Sequence, residues 1–218
     1  LLTPLVHQVD VQTTLVASDE LNRLASATKA RAGKDFMVGL KMPADEGVVG
    51  GIDVGEAGRI TAHLASAGCF DYFAYGQGNF SPSLENHVPD MHFHPGHFID
   101  LHRAMRRSAA GTPVMALGRI GEPELAEKVI AEGYGDLVGM ARALVSDAAF
   151  PSKARAGRAR DIRPCVYNNT CWGEVHMGKP LAEFHNPHLG LAGEADWTPG
   201  EAGRKRRITV VGAGPAGL

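Results

Sequence analysis

The sequence is short of cysteine, of long apolar runs and of charge of one sign. Three cysteines among 218 residues are too few, and odd in number, for a disulfide scaffold; they point to a reducing compartment, read as the cytoplasm. No apolar stretch reaches the roughly 18–20 residues that span a bilayer, so no membrane partner is expected. With 22 Lys and Arg against 24 Asp and Glu, the formal charge is −2, and no basic surface advertises nucleic acid. No initiator Met or leader opens the chain, which starts Leu1-Leu2-Thr3-Pro4. It stops at Gly217-Leu218, where a helix is only beginning. Both ends therefore read as cuts in a longer polypeptide.

Glycine, by contrast, is plentiful, with 27 residues, as tight strand–helix turns require. Ser18-Asp19-Glu20 reads as a helix cap, followed by apolar positions at helical spacing up to Gly33. The apolar run Asp35–Lys41 reads as a buried strand ended by Pro43. Helices are expected over Val54–Ala67, Phe98–Ala110 and Glu122–Glu132, and strands over Phe70–Tyr75, Pro113–Leu117 and Asp136–Met140. Short apolar strands between amphipathic helices imply a parallel sheet covered on both faces, either an open doubly wound sheet or a closed barrel. Four such units are half of a (β/α)8 barrel of about 250 residues. After Pro151 the pattern breaks into an irregular stretch rich in Asn, Gly, His and Pro. Basic Arg204–Arg207 then leads into a new apolar strand, Ile208–Val211.

Two strand ends carry the first chemical signal: Leu117-Gly118-Arg119 and Gly139-Met140-Ala141-Arg142. The loops after the last barrel strands commonly hold a phosphate; glycine lets the backbone come close, and arginine adds a charge-assisted fork. The second signal is Gly212-Ala213-Gly214-Pro215-Ala216-Gly217, a GxGxxG directly after an apolar strand. In that context Gly212, Gly214 and Gly217 read as a dinucleotide-phosphate turn, with FAD and NAD(P) not separated. A third region, Glu85 to His97, comes after a strand and so belongs to the face where barrel active sites lie. Its His87, His92, His94 and His97 include an HxH spacing a metal could use, but no carboxylate or thiolate completes a convincing set; a polar loop at a substrate cavity accounts for them as well. Cys165 and Cys171 are separated by five residues, which is not a zinc knuckle.

Together these motifs resemble the multidomain branch of the old yellow enzyme superfamily, the NADH:flavin oxidoreductases of the trimethylamine dehydrogenase and dienoyl-CoA reductase type. The resemblance runs from about Asp35 to the end. It rests on Pro113–Ile120, Asp136–Arg142, Asp161-Ile162-Arg163-Pro164-Cys165, Asn186-Pro187 and Val210–Gly217. It implies three regions: the C-terminal half of an FMN-binding TIM barrel over residues 1–160, an iron–sulfur-type linker over 161–203, and the start of a Rossmann-like FAD- or NAD(P)-binding domain over 204–218. FMN phosphate would lie around Gly118, Arg119, Gly139, Ala141 and Arg142. Lys41 would stand where the family places an arginine beside the flavin's N1–C2 edge, where a cation stabilises reduced flavin.

The implied reaction is hydride transfer between FMN and a small substrate, an enoyl/enone or an N-methylated amine. NAD(P)H or an electron-transfer partner would complete the cycle, and homo-oligomerisation stays open. The chain alone, without the first half of the barrel, is expected to be inactive. Three positions depart from the family pattern. Cys165 and Cys171 match two of four [4Fe–4S] ligands, but Asn168 and Glu183 stand at the others, so no stable cluster is expected. Asn86 stands where the amine dehydrogenases have an aspartate, and Leu84 where the reductases have a catalytic histidine; His87 is the candidate substitute. The pattern before the first helix also aligns poorly over Thr3–Asp19. A catalytically degenerate relative that still binds FMN, or another phosphate-binding barrel enzyme, are the alternatives.

Overall fold

The computed structural model describes residues 11–196 and 203–214, the side chains of 11–16 and 196 excepted. In chain order the elements are α1 (Val11–Ala32), β1 (Gly39–Asp45), α2 (Val54–Ser66), β2 (Tyr72–Gln77), α3 (Leu84–His87), α4 (Ile99–Ser108), β3 (Val114–Ala116), α5 (Pro123–Ala131), β4 (Leu137–Val138), α6 (Arg142–Ser146), α7 (Phe150–Arg155) and α8 (Thr170–His176). Local chemistry sets several of their ends. Asp53 caps α2, its carboxylate accepting the Glu56 N–H at 2.8 Å, and Pro123 opens α5 at a position that needs no N–H. Gly133, at φ +71°, turns the chain back after α5.

The four strands are all parallel and lie side by side in chain order, β1-β2-β3-β4. A doubly wound sheet reverses its order at a switch point, whereas a barrel keeps winding in one direction. No such reversal occurs among these four strands, as in part of a (β/α)8 barrel. Along β2 the side chains alternate. Phe73 and Tyr75 are fully buried under α2 and α4, with Ile60, Leu64, Met105 and Val114. Tyr72, Ala74 and Gly76 face the opposite side, the barrel interior, where they line a cavity. The Tyr75 hydroxyl meets the Thr61 hydroxyl at 2.7 Å, and Thr61 in turn donates to the Ala57 carbonyl. Burial pushes the Tyr75 phenol up to about 12.

At the N-terminal ends of the strands the fold repeats one device. Asp71 takes the Val38 N–H at 2.7 Å and the Lys29 ammonium at 2.7 Å. Asp136 takes the Val114 N–H at 3.0 Å and a two-pronged contact from Arg106 at 2.7 and 3.0 Å. In each case a carboxylate just before one strand ties the start of its neighbour to a cation on a preceding helix. That end of a barrel serves stability rather than chemistry.

Four sequence expectations need correcting. Strand β1 runs through Pro43, which pairs with Gly76. Among the described residues β1 has a neighbour on one side only, so a missing N–H costs it no ladder bond. Ser18 is not a cap but a buried position within α1, because a longer helix continues through it. The linker is not wholly irregular: α8 forms within it, with Cys171 buried on its inner side. Finally, Ile208–Val211 forms no strand; Ile208 and Val211 are 79 and 95 % exposed. An apolar strand of a parallel sheet takes its stability from neighbours on both sides, and none pairs with this one among the described residues.

Candidate active site

The inner face of the sheet, from Gly39 and Tyr72 at the starts of β1 and β2 to the loops after β2, β3 and β4, lines a cavity of about 630 Å³. Lys41, His87, Gly118, Arg119, Gly139, Ala141 and Arg142 all line it, so the structure brings together most of the residues singled out above. Its lining holds three cationic side chains, Lys41, Arg119 and Arg142, and no aspartate or glutamate. Such a cavity suits an anion.

The two arginines are held from an unexpected side. Arg142 Nη1 donates to the Pro89 carbonyl and to Asn169 Oδ1, both at 2.6 Å. Arg119 Nη1 donates to the Asp90 carbonyl at 2.9 Å, while its buried Nε has no partner among the described residues. Both guanidinium groups lie against the ring of Tyr167, at 4.4 Å for Arg119 and 4.8 Å for Arg142. Asn169 also donates its amide N–H to the Val88 carbonyl at 2.8 Å. Burial lowers the Arg142 pKa and pushes the Tyr167 phenol up to about 12. Tyr167, Asn169 and Arg119 all adopt positive φ, at 55, 61 and 50°. Backbone strain of that kind gathers at functional sites.

The two strand-end glycines serve different needs. Gly118 has φ +105°, open to glycine alone, and lies over Gln77. At Gly139 the constraint is steric: a β-carbon there would sit 2.1 Å from Leu117 Cδ2 and 2.8 Å from Met115 Sδ. Behind this turn lies His102, wholly buried, a residue no motif singled out. Its Nδ1 is 3.1 Å from the Phe98 carbonyl, and its Nε2 lies 2.8 Å from the Tyr75 carbonyl and 3.0 Å from the Leu117 N–H. The ring thus joins β2 to the residue before Gly118. Burial lowers its pKa. Only the pattern of buried partners reveals it; a lone histidine in an amphipathic helix gives no signal in sequence.

In the loop after β2, His87 reaches the cavity with Val88 and Pro89, whereas His92, His94 and His97 do not line it. Asn86 does not line it either, packing instead against Gly47 and Gly78. Phe80, His87, Trp172 and His176 make an aromatic group beside the opening, with Trp172 and His176 stacked at 4.5 Å.

The side chains at Asn168 and Glu183 have partners of their own within the linker. Asn168 spends its oxygen on the Thr170 N–H at 3.1 Å, and Glu183 Oε1 accepts the His185 N–H at 3.2 Å. Burial raises the Cys171 thiol pKa, disfavouring thiolate. Among the described residues, no three His, Cys, Asp or Glu side chains cluster as metal ligands would. Gly212 and Gly214 lie in the exposed segment after residue 203, and Gly217 lies outside the described residues.

The sequence profile of the NADH:flavin oxidoreductase / NADH oxidase family matches residues 23–161. The chain belongs to this family. N,N-dimethylglycine/sarcosine dehydrogenase of Chromohalobacter salexigens is 32 % identical over 88 % of this chain and 28 % of its own length. The NADH oxidase of Thermoanaerobacter brockii is 32 % identical over 87 % of the chain and 29 % of its own. Among solved structures, 2-naphthoyl-CoA reductase in complex with 2-naphthoyl-CoA superimposes with a TM-score of 0.80, at 25 % identity, over 92 % of this chain and 30 % of that one. The chain thus spans less than a third of these family relatives. No helix among the described residues is long and apolar enough to cross a membrane.

Proposed function

We propose that this chain forms the phosphate-gripping half of the FMN site in a flavin-dependent oxidoreductase. The observation that carries the reading is the cavity at the strand ends, lined by Lys41, Arg119 and Arg142 and by no carboxylate. Gly118 and Ala141 offer backbone beside the phosphate, and the unpartnered Nε of Arg119 offers a donor. Gly139 keeps the floor of the cavity free of a side chain. Lys41, inward on β1, is the cation that would face the flavin ring.

Bound FMN would supply a two-electron carrier, taking up hydride from NAD(P)H or a reduced substrate and giving it to an acceptor. The chain's own residues bind and orient it. His87, which lines the cavity, is a side chain able to give a proton to or take one from an enoyl/enone or N-methylated amine. Asn86, which does not line the cavity, is the weaker candidate. The poor fit at Asn168 and Glu183 favours hydride traffic through flavin without an iron–sulfur relay. Gly212, Gly214 and Gly217 would then open a second nucleotide site for FAD or NAD(P).

The test is a titration of the full-length protein with FMN, then anaerobic reduction with NADH, NADPH or an N-methylated amine. A flavin spectrum that bleaches with one of these donors supports the reading. A protein that binds FMN and is bleached by none is the degenerate relative. One that binds no flavin refutes the proposal.

A further inference from the structure

We propose that Tyr167 and Asn169 are positioning residues for the FMN phosphate, a clamp by which the linker holds Arg119 and Arg142 in the barrel site. The inference rests on the reading of these arginines as phosphate ligands. Both guanidinium groups share one face-on partner, the Tyr167 ring. Asn169 adds a hydrogen bond to Arg142 and another to Val88, next to the Pro89 carbonyl that also holds Arg142. Two like charges placed on one cavity repel each other and, without such contacts, would turn outward to water. A ring that meets both half-buried groups offsets part of that repulsion and of the lost hydration.

The ring, rather than the hydroxyl, is what this site uses. Tyr167 is 8 % exposed, and its buried hydroxyl has no hydrogen-bond partner among the described residues. The oxygen occupies the space where Gly121 lacks a β-carbon. Gly121 therefore makes room for the phenol, and the strained backbone at Tyr167 and Asn169 aims both side chains back at the barrel. Three residues of the segment between Cys165 and Cys171 thus have assignments that a cluster-binding loop does not need: Tyr167 on the arginines, Asn168 on the Thr170 N–H, and Asn169 on Arg142 and Val88.

The experiment compares the affinities of FMN and riboflavin, which differ only in the phosphate, in the full-length protein and in Tyr167→Phe, Tyr167→Leu, Asn169→Gly and Arg142→Met. Tyr167→Phe is expected to keep the wild-type FMN-to-riboflavin ratio. Tyr167→Leu should cut that ratio about tenfold, the scale of a lost desolvated cation–π contact, and leave riboflavin binding unchanged. Asn169→Gly should act in the same direction. Equal losses for both ligands in Tyr167→Leu would mean general packing and overturn the proposal. So would a collapsed ratio in Tyr167→Phe, which would assign the effect to the hydroxyl. If Arg142→Met leaves the ratio intact, the phosphate reading itself has failed. If Arg142→Met collapses it and Tyr167→Leu does not, only the clamp has failed.

Discussion

Asn169 Oδ1 lies 2.6 Å from Arg142 Nη1, joining a linker residue at positive φ to the strand-end arginine of the barrel. The same amide donates to the Val88 carbonyl, so one side chain ties together the linker, the loop after β2 and the loop after β4. This makes the linker part of the cavity wall.

Replacing Asn169 by glycine keeps the positive φ and removes both hydrogen bonds. The half-buried Arg142 then loses one acceptor and the Val88 carbonyl its donor. Urea unfolding should show a loss of about 1–3 kcal/mol, the cost of leaving such groups unsatisfied. Leucine at the same position should cost a further ~1 kcal/mol, because a branched side chain resists the left-handed region. If the two variants unfold alike, the backbone argument is wrong.

Acid should loosen the structure through Asp136 and Asp147. The Arg106 fork and the Val114 N–H lower the Asp136 pKa against the pull of burial. For Asp147, burial pushes upward, but Lys153 and the Arg163 and Ala149 N–H groups outweigh it, and the net shift is down. A carboxylate with a lowered folded pKa binds fewer protons folded than unfolded, so it stabilises above its unfolded value of about 3.9. That stability is lost as pH falls through the lower folded value. Urea midpoints measured from pH 6 down to pH 3 should fall for the wild type. They should fall less steeply for Asp136→Asn and Asp147→Asn. Parallel curves would remove these two groups from the acid response.

Legibility followed the physics of each element. The helices and the central strands announce themselves through apolar spacing, and the arginines through repetition at two strand ends. Barrel and open sheet share one local pattern, so only the strand order separates them. Ser18 looks like a cap because a serine at a helix start and one buried inside a helix differ in their spatial surroundings, not in the residue itself. Tyr167 and Asn169 were hidden for a related reason. Their partners lie 25–81 positions away in sequence, and a tyrosine in an irregular stretch carries no periodic signal. Ile208–Val211 has the composition of a strand, but a strand needs a ladder.

Gly139 offers a test of how tightly the cavity floor is packed. Alanine would place its β-carbon against Leu117 and Met115, and such overpacking commonly costs about 1–3 kcal/mol. Gly139→Ala should therefore unfold earlier in urea, and Leu117→Ala in the same chain should recover part of the loss. A double variant no better than the single one would mean that the clash is relieved elsewhere.

His102 makes a prediction about the turn before Gly118. Its Nε2 lies within hydrogen-bond distance of both the Leu117 N–H and the Tyr75 carbonyl, so leucine at position 102 would take that partner from both backbone groups, at about 1–3 kcal/mol. Because Leu117 leads directly into Gly118 and Arg119, FMN should also bind more weakly than stability loss alone explains. Hydrogen exchange at the Leu117 amide reads this locally: fast exchange in His102→Leu with protection kept in α4 is the expected result. Uniformly faster exchange would mean a merely loosened core.

Lys41 tests the flavin end of the cavity. It lines the interior on β1, opposite the strand ends that carry Arg119 and Arg142. If it faces the flavin ring, its ammonium stabilises the reduced, anionic form more than the oxidised form. Removing the charge in Lys41→Met then lowers the two-electron reduction potential of bound FMN. The shift should be on the order of 30 mV, equivalent to about 1.4 kcal/mol of differential stabilisation. Arginine carries the same charge, so Lys41→Arg should keep the potential near wild type. FMN affinity in the oxidised state should change little, since Lys41 is not assigned to the phosphate. A spectroelectrochemical titration separates the cases: an unchanged potential in Lys41→Met, with FMN still bound, would place Lys41 away from the flavin ring.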